Sequence, residues 1–172
     1  WRIPMSVTYP LSGTLQLTPG ADGRGGVMLV WRSVGNEYDG IYYQWSNDGG
    51  DSWSPPAAIS GVLSRPWSGP FDMYDMVADC AGHIHLAVVA RPTAESEVPM
   101  GVYHIEWDGL SWSAPEAIYT GEGFPEYPRI ANALGNQLHV VWFVRDALFE
   151  TNTRREVWYS SSQSVAPPRT PA

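Results

Sequence analysis

The chain has 172 residues, among them nine Trp, nine Tyr, 17 Gly and 15 Pro, and a formal net charge of -8. At that length one domain buries roughly 70% of its unfolded surface, so a core forms without disulfide or metal staples. All ten basic residues are arginine; so acidic a balance carries no electrostatic footprint for nucleic acid or anionic lipid, and no apolar run approaches the ~20 residues of a membrane-spanning helix. Cys80 is the single cysteine. With no second thiol and no clustered histidines it reads as a small core residue, and neither a disulfide, a metal nor any other cofactor is expected.

Aromatic and β-branched residues between Gly- and Pro-rich turns predict an all-β chain. Residues 1–9 (WRIPMSVTY) read as an outer strand. Residues 10–61 hold four short strands, at 14–18 and starting at Val27, Ile41 and Trp53. Residues 62–120 hold four more, at 74–79 and from Ile84, Val102 and Trp112. Residues 121–164 hold three, at 127–132 and from Leu138 and Val157, with no clear outer strand of their own. The final stretch, 165–172 (VAPPRTPA), reads as a Pro-rich tail or linker of a longer parent.

These units repeat. The segment WSPPAAIS (Trp53 to Ser60) returns as WSAPEAIY (Trp112 to Tyr119), 59 residues later. GIYYQW from Gly40 returns as GVYHIE from Gly101, and VMLVW from Val27 as IHLAV from Ile84 and LHVVW from Leu138. Four antiparallel strands in a unit of about 50 residues is the pattern of a β-propeller blade. The expected fold is therefore about three blades, a partial or half six-bladed propeller, with residues 1–9 supplying an outer strand to a preceding or partner blade.

Between the third and fourth strands of the first unit lies SNDGGDSW, in which Ser46, Asp48, Gly50, Ser52 and Trp53 stand at Ser-x-Asp-x-Gly-x-Ser-Trp. This resembles the Asp box of the sialidase-like (BNR repeat) β-propellers, and with the blade repeat the resemblance covers nearly the whole chain. It implies a structural role for the box: Asp48 accepts from N–H groups of its own turn, the glycines permit positive φ, and Trp53 buries its ring between blades. The second unit keeps only DGLSW (Asp108 to Trp112), and the third has Val165 where the Trp belongs. An Arg-Ile-Pro also stands at Arg2, like the sialidase tripeptide whose arginine holds the substrate carboxylate. Aligning Trp1 with Trp53, 52 residues on, puts Arg2 at the start of an outer strand, so the match is read as accidental.

Propeller ligands meet the mouth of the central channel, formed by loops entering the inner strands and loops joining the second and third strands. Two entering loops pair aromatic faces with charge. Trp67, Phe71, Asp72 and Asp75 lie in and after the first; Phe124, Glu126, Tyr127 and Arg129 follow the second. Stacking surface beside carboxylates and an arginine suits a sugar or a peptide. Arg129, aligned with Met76 and Gln16, is not a repeat feature and is the leading ligand-binding candidate. Sialidase catalysis needs three arginines, a tyrosine–glutamate pair and an aspartate acid/base, and no such set can be assigned, so no catalytic residue is named. His85 and His139 occupy equivalent strand positions and read as structural. The expected function is a non-catalytic interaction module, extracellular, at the cell surface or periplasmic, binding a glycan or protein partner or acting as a structural subunit. The alternative is a fragment of a sialidase-like glycoside hydrolase. Other blades of a longer parent, another subunit or a second copy are the expected partners.

Overall fold

The computed structural model describes residues 4, 6–7, 14–33, 40–64, 74–92, 100–134, 136–147 and 153–164. The strand expected at 1–9, apart from Pro4, Ser6 and Val7, and the tail at 165–172 lie outside the described residues. Among the described residues there are eleven strands and no helix. The first sheet orders β1 (Thr14–Ala21), β2 (Val27–Ser33), β3 (Gly40–Ser46) and β4 (Ala57–Leu63) in sequence. The second does the same with β5 (Tyr74–Ala78), β6 (Ile84–Ala90), β7 (Gly101–Trp107) and β8 (Glu116–Tyr119). The third has β9 (Phe124–Ala133), β10 (Gln137–Arg145) and β11 (Arg155–Gln163). Every pairing is antiparallel, so each sheet is a meander, the blade of a β-propeller.

The outer strands begin at Ala57 and Glu116, later than the Trp53 and Trp112 starts read from sequence. Prolines 55, 56 and 115 explain the delay, since they cannot donate to a ladder. The hairpins at one end share a device, an aspartate whose Oδ1 accepts the N–H groups of its own turn. Asp22 takes Arg24 and Gly26, at 2.6 and 2.8 Å. Asp79 takes Ala81 and His83, at 2.8 and 2.9 Å, and Asp108 takes Leu110 and Ser111, both at 2.8 Å. Asp48 accepts from Ser46 Oγ at 2.8 Å and Ser52 N at 2.9 Å on one oxygen, and from Ser52 Oγ at 2.5 Å on the other. The turn also needs its glycines, with φ of 71° at Gly49 and 94° at Gly50. Trp53 differs from its expected place: it is half-buried and its indole N–H returns to Gly50 O at 3.2 Å. The ring wedged between blades is Trp112, edge-on to Tyr43 at 5.6 Å and beside Trp107 at 5.5 Å.

Strand alternation assigns the faces. In blade two, Ile84, Leu86 and Val88 turn toward blade one, where Trp107 meets Tyr43 at 5.4 Å and Trp45 at 6.0 Å. The opposite face, with His85, Ala87 and Val89, turns toward blade three. Covered on both sides, β6 is buried at every residue, which is why it reads as an unbroken apolar run. Blade three presents Ile130, Leu138, Val140, Trp142 and Val144 to blade two; Val141 and Phe143 on its other face are 41% and 38% exposed. Polar contacts lock the seams. Leu63 and Arg91 exchange backbone hydrogen bonds at 2.8 and 3.0 Å between blades one and two, and the Tyr74 hydroxyl donates to Gln16 O. Between blades two and three, Ile130 N donates to Asp75 Oδ2 at 3.1 Å, Asn132 Nδ2 to Ala78 O at 3.1 Å, and the Cys80 N–H to Asn136 Oδ1 at 2.9 Å. Cys80 is thus a half-buried turn residue, not the core residue expected from sequence.

Candidate functional site

The end of the stack opposite the aspartate turns is where β2, β6 and β10 finish and where β5 and β9 begin. There the seam between blades two and three opens into a cleft of about 470 Å³. Tyr119, the last residue of β8, forms one wall and Trp158 of β11 another, their rings 5.0 Å apart. Trp142 packs against both rings, 5.7 Å from Tyr119 and at 24° to Trp158. The loop from β8 to β9 crosses the opening and needs its glycines to do so. A Cβ on Gly121 would sit 2.7 Å from the Tyr119 hydroxyl, and one on Gly123, at φ 87°, would sit 2.8 Å from Val144 Cγ1. The Tyr119 hydroxyl donates to Glu122 O at 2.6 Å, fixing ring and loop together.

Three carboxylates rim this cleft: Glu122 from the loop, Asp146 after β10 and Glu156 on β11. Arg154 pairs with Glu156 at 2.6 Å, and Asp146 N donates to Arg154 O at 3.4 Å, closing the β10–β11 hairpin. Burial, reinforced by the charges of Glu156 and Glu122, pushes the Tyr119 phenol above its ordinary value, so it stays a neutral donor. Trp158 is 40% exposed and offers a stacking face. An indole platform beside carboxylate acceptors binds hydroxyl groups and C–H faces, and the net negative rim disfavours an anionic ligand.

The structure separates the residues singled out from sequence. Trp67, Phe71 and Asp72 lie outside the described residues. Asp75 is engaged with the Ile130 N–H and joins inner strands. Glu126 is fully buried and bonds Arg145 Nη2 at 2.9 Å, in an ion pair away from the cleft. Phe124 is half-buried at the start of β9. Tyr127 occupies a bulge with φ 52° and meets Phe143 edge-on at 6.5 Å. Arg129, with Nη1 donating to Pro128 O at 3.2 Å, lies with Tyr127, Val141, Phe143 and Val157 in a groove of about 360 Å³ on the face of blade three turned from blade two.

The bulge also moves Arg129 in the repeat. Its partner is Val141, as Asp75 pairs Ala87 and Thr18 pairs Val30. Arg129 therefore corresponds to Asp75 and Thr18, not to Met76 and Gln16; Gln16, at φ 54°, is the counterpart of Tyr127. Three arginines near the mouth escaped the sequence reading as a group. Arg32, Arg91 and Arg145 end or follow β2, β6 and β10 and are 1%, 8% and 6% exposed. The cleft residues Tyr119, Glu156 and Trp158 were missed too, whereas the loops that carry Glu122 and Asp146 were marked as mouth-forming.

No protein-family model matches the chain. Solved structures share its fold, two PL25 ulvan lyases among them. One is an ulvan lyase of polysaccharide lyase family PL25 bound to -[GlcA(1-4)Rha3S]-, with a TM-score of 0.54 and 12% identity over 85% of this chain and 38% of that one. The other is a PL25 ulvan lyase, with a TM-score of 0.52 and 12% identity over 86% of this chain and 37% of that one. The chain thus spans less than two fifths of the length of these structures. At this identity the likeness shows the fold alone.

Proposed function

We propose that this chain is a glycan-binding segment of a sialidase-like β-propeller, acting without catalysis at a cell surface, outside the cell or in a periplasm. The observation that carries this reading is the cleft: a half-exposed indole, a second aromatic wall and three carboxylates around about 470 Å³, within the size range of small-ligand sites. The fold shared with enzymes that handle polysaccharides supports the ligand class. The acidic rim favours neutral sugars, so the ligand differs in charge from the sulfated uronate polymer of the ulvan lyase structure. Further blades of a longer parent complete the ring around the bare face of blade three. Glycan-array binding followed by calorimetry on the purified chain tests the proposal. Neutral oligosaccharides should bind, and Trp158→Ala should weaken them by roughly 1–3 kcal/mol, the value of a lost aromatic stack with its buried area. Binding that ignores Trp158, or that selects only anionic glycans, overturns it. The three rim carboxylates favour one other reading, a glycoside hydrolase fragment, and turnover of any bound oligosaccharide would select it.

A further inference from the structure

Across the face of blade two that meets blade three runs a line of four titratable groups. Asp79 Oδ2 lies 3.3 Å from His85 Nε2, His85 Nδ1 lies 2.9 Å from His104 Nε2, and His104 Nδ1 lies 3.6 Å from Glu116 Oε2. The inner end is sealed, the Asp79 and His85 side chains being 0% exposed, and the outer end reaches water through Glu116, 75% exposed. Glu106 acts on His104 from β7 and is itself held by His83 Nδ1 at 2.5 Å. The described blade-three residues around the cavity beside His104 bring serines and aliphatic side chains, and no charge.

The middle contact limits the proton count. Two ring nitrogens 2.9 Å apart need one N–H and one lone pair between them, whichever ring donates. The pair therefore carries at most one positive charge between its two carboxylates. A second charge sets N–H against N–H in a site shielded from water, so the contact has to break to admit it. Burial first, and then the His85 charge, hold His104 below the usual imidazole range against the pull of Glu116 and Glu106. The closed pair thus binds fewer protons than the parted one, is favoured at neutral pH and loses that advantage as pH falls below about 6.5. The cavity beside His104, about 190 Å³, has room for several waters, so a second imidazolium is hydrated inside the seam without unfolding the blade.

Both walls of the aromatic cleft are tied to this line. β8 carries Glu116 and ends at Tyr119. β11 carries Trp158 and runs into Ser164, whose hydroxyl donates at 2.8 Å to Asp79 Oδ2, the oxygen that also faces His85, and whose N–H donates to Asn136 O at 2.9 Å. Rings driven apart therefore disturb the strand under each wall. We propose that the His85–His104 pair is a proton-operated latch: closed at neutral pH it holds blade three against blade two, and in mild acid it opens the seam and parts Tyr119 from Trp158. Release of a bound sugar in acid rests on the glycan reading above; the opening of the seam does not.

Amide hydrogen exchange of the full chain without ligand, compared at about pH 7.5 and about pH 5.5 and corrected for intrinsic rates, tests the latch. One linked proton raises the opening constant by up to about tenfold per pH unit. Amides of β11 and Ser164 should lose protection in acid while those of β2 and β3 keep it, and imidazole NMR of the parent should place the His104 titration at the same midpoint. In His104→Gln, which takes up no proton, the acid loss should vanish; in His83→Gln it should persist. Should His104→Gln not fold, the parent's own titration decides. Protection of β11 that ignores pH, an equal loss across blade one, a His104 titration that leaves exchange unmoved, or an acid response that survives His104→Gln each overturns the latch. Neutral oligosaccharides on a glycan array that bind as tightly in acid as at neutral pH overturn its control of the cleft. An array that binds nothing at either pH, with the exchange pattern intact, fails the glycan reading alone.

Discussion

Replacing Glu126 by Leu removes the carboxylate that faces Arg145 from a position where neither group meets solvent. Their side chains are 0% and 7% exposed, and they stand 2.9 Å apart. Taking one partner from a buried ion pair costs about 3–5 kcal/mol, because the remaining group loses a close charge-assisted hydrogen bond in a poor dielectric. At about 2–4 °C per kcal/mol for a chain of this size, the melting temperature should fall by roughly 6–20 °C. The pair is itself an expensive arrangement. The second oxygen of Glu126 is buried with no hydrogen-bond partner among the described residues, a cost of about 1–3 kcal/mol. Combining Glu126→Leu with Arg145→Met removes charge and orphan together, so the double variant should return to within about 1 kcal/mol of the parent or exceed it. Thermal and urea unfolding followed by circular dichroism measure all four members of the cycle. A single variant that loses less than about 1 kcal/mol, or a double variant no better than the single, refutes the argument.

Other consequences are sharper in direction than in size. In Gly101→Ala the new Cβ would lie 2.6 Å from the Tyr119 backbone oxygen and 2.8 Å from the Tyr103 ring, so β7 and β8 must part; a loss of about 1–3 kcal/mol in urea unfolding is expected. Hydrogen bonds from the Ser52 side chain and N–H, and then from Ser46, hold the Asp48 carboxyl far below its ordinary 3.8. Its contribution is therefore present above that pH and fades as the solution is made more acidic, so Asp48→Asn should melt lower than the parent at neutral pH and converge with it in acid. His104, held below its ordinary 6.5, binds fewer protons folded than unfolded, so the parent should lose stability as pH falls below about 6.5. In His104→Gln that slope should flatten, and an unchanged slope in urea titrations would assign the loss elsewhere.

The blades were legible because their signals are local. Recurring Trp, Pro and Ile positions mark where outer strands start, and aspartates followed by glycines mark hairpins whose hydrogen bonds close within a few residues. The bulges at Gln16 and Tyr127 were not legible. One inserted residue leaves the alternation plausible on either side, yet it moves Arg129 from the row of Met76 to the row of Asp75. The cleft was invisible for another reason. Tyr119 and Trp158 come from the outer strand of one blade and the third strand of the next, and only the packing of sheet on sheet brings their rings to 5.0 Å. Glu126, by contrast, looked like a mouth residue because it follows an entering loop; the register of β9 sets it opposite Phe143, on the face of β10 that also carries Arg145, and the two pair.

The faces of the blades are not interchangeable, and this polarity has an evolutionary consequence. Blade two meets blade one with Ile84, Leu86 and Val88 and meets blade three with His85, Ala87 and Val89, while blade three again leads with Leu138, Val140 and Trp142. Each junction is head to tail, joining unlike surfaces, and such a junction contains no instruction to stop. Nothing in the contact between two blades counts how many there are; the tally is set by the small rotation between neighbours and by the strand that fastens the last blade to the first. A gene duplication that copies one unit in frame therefore delivers a blade already complementary to both neighbours, and the same seams, with the cavities they enclose, are copied along with it.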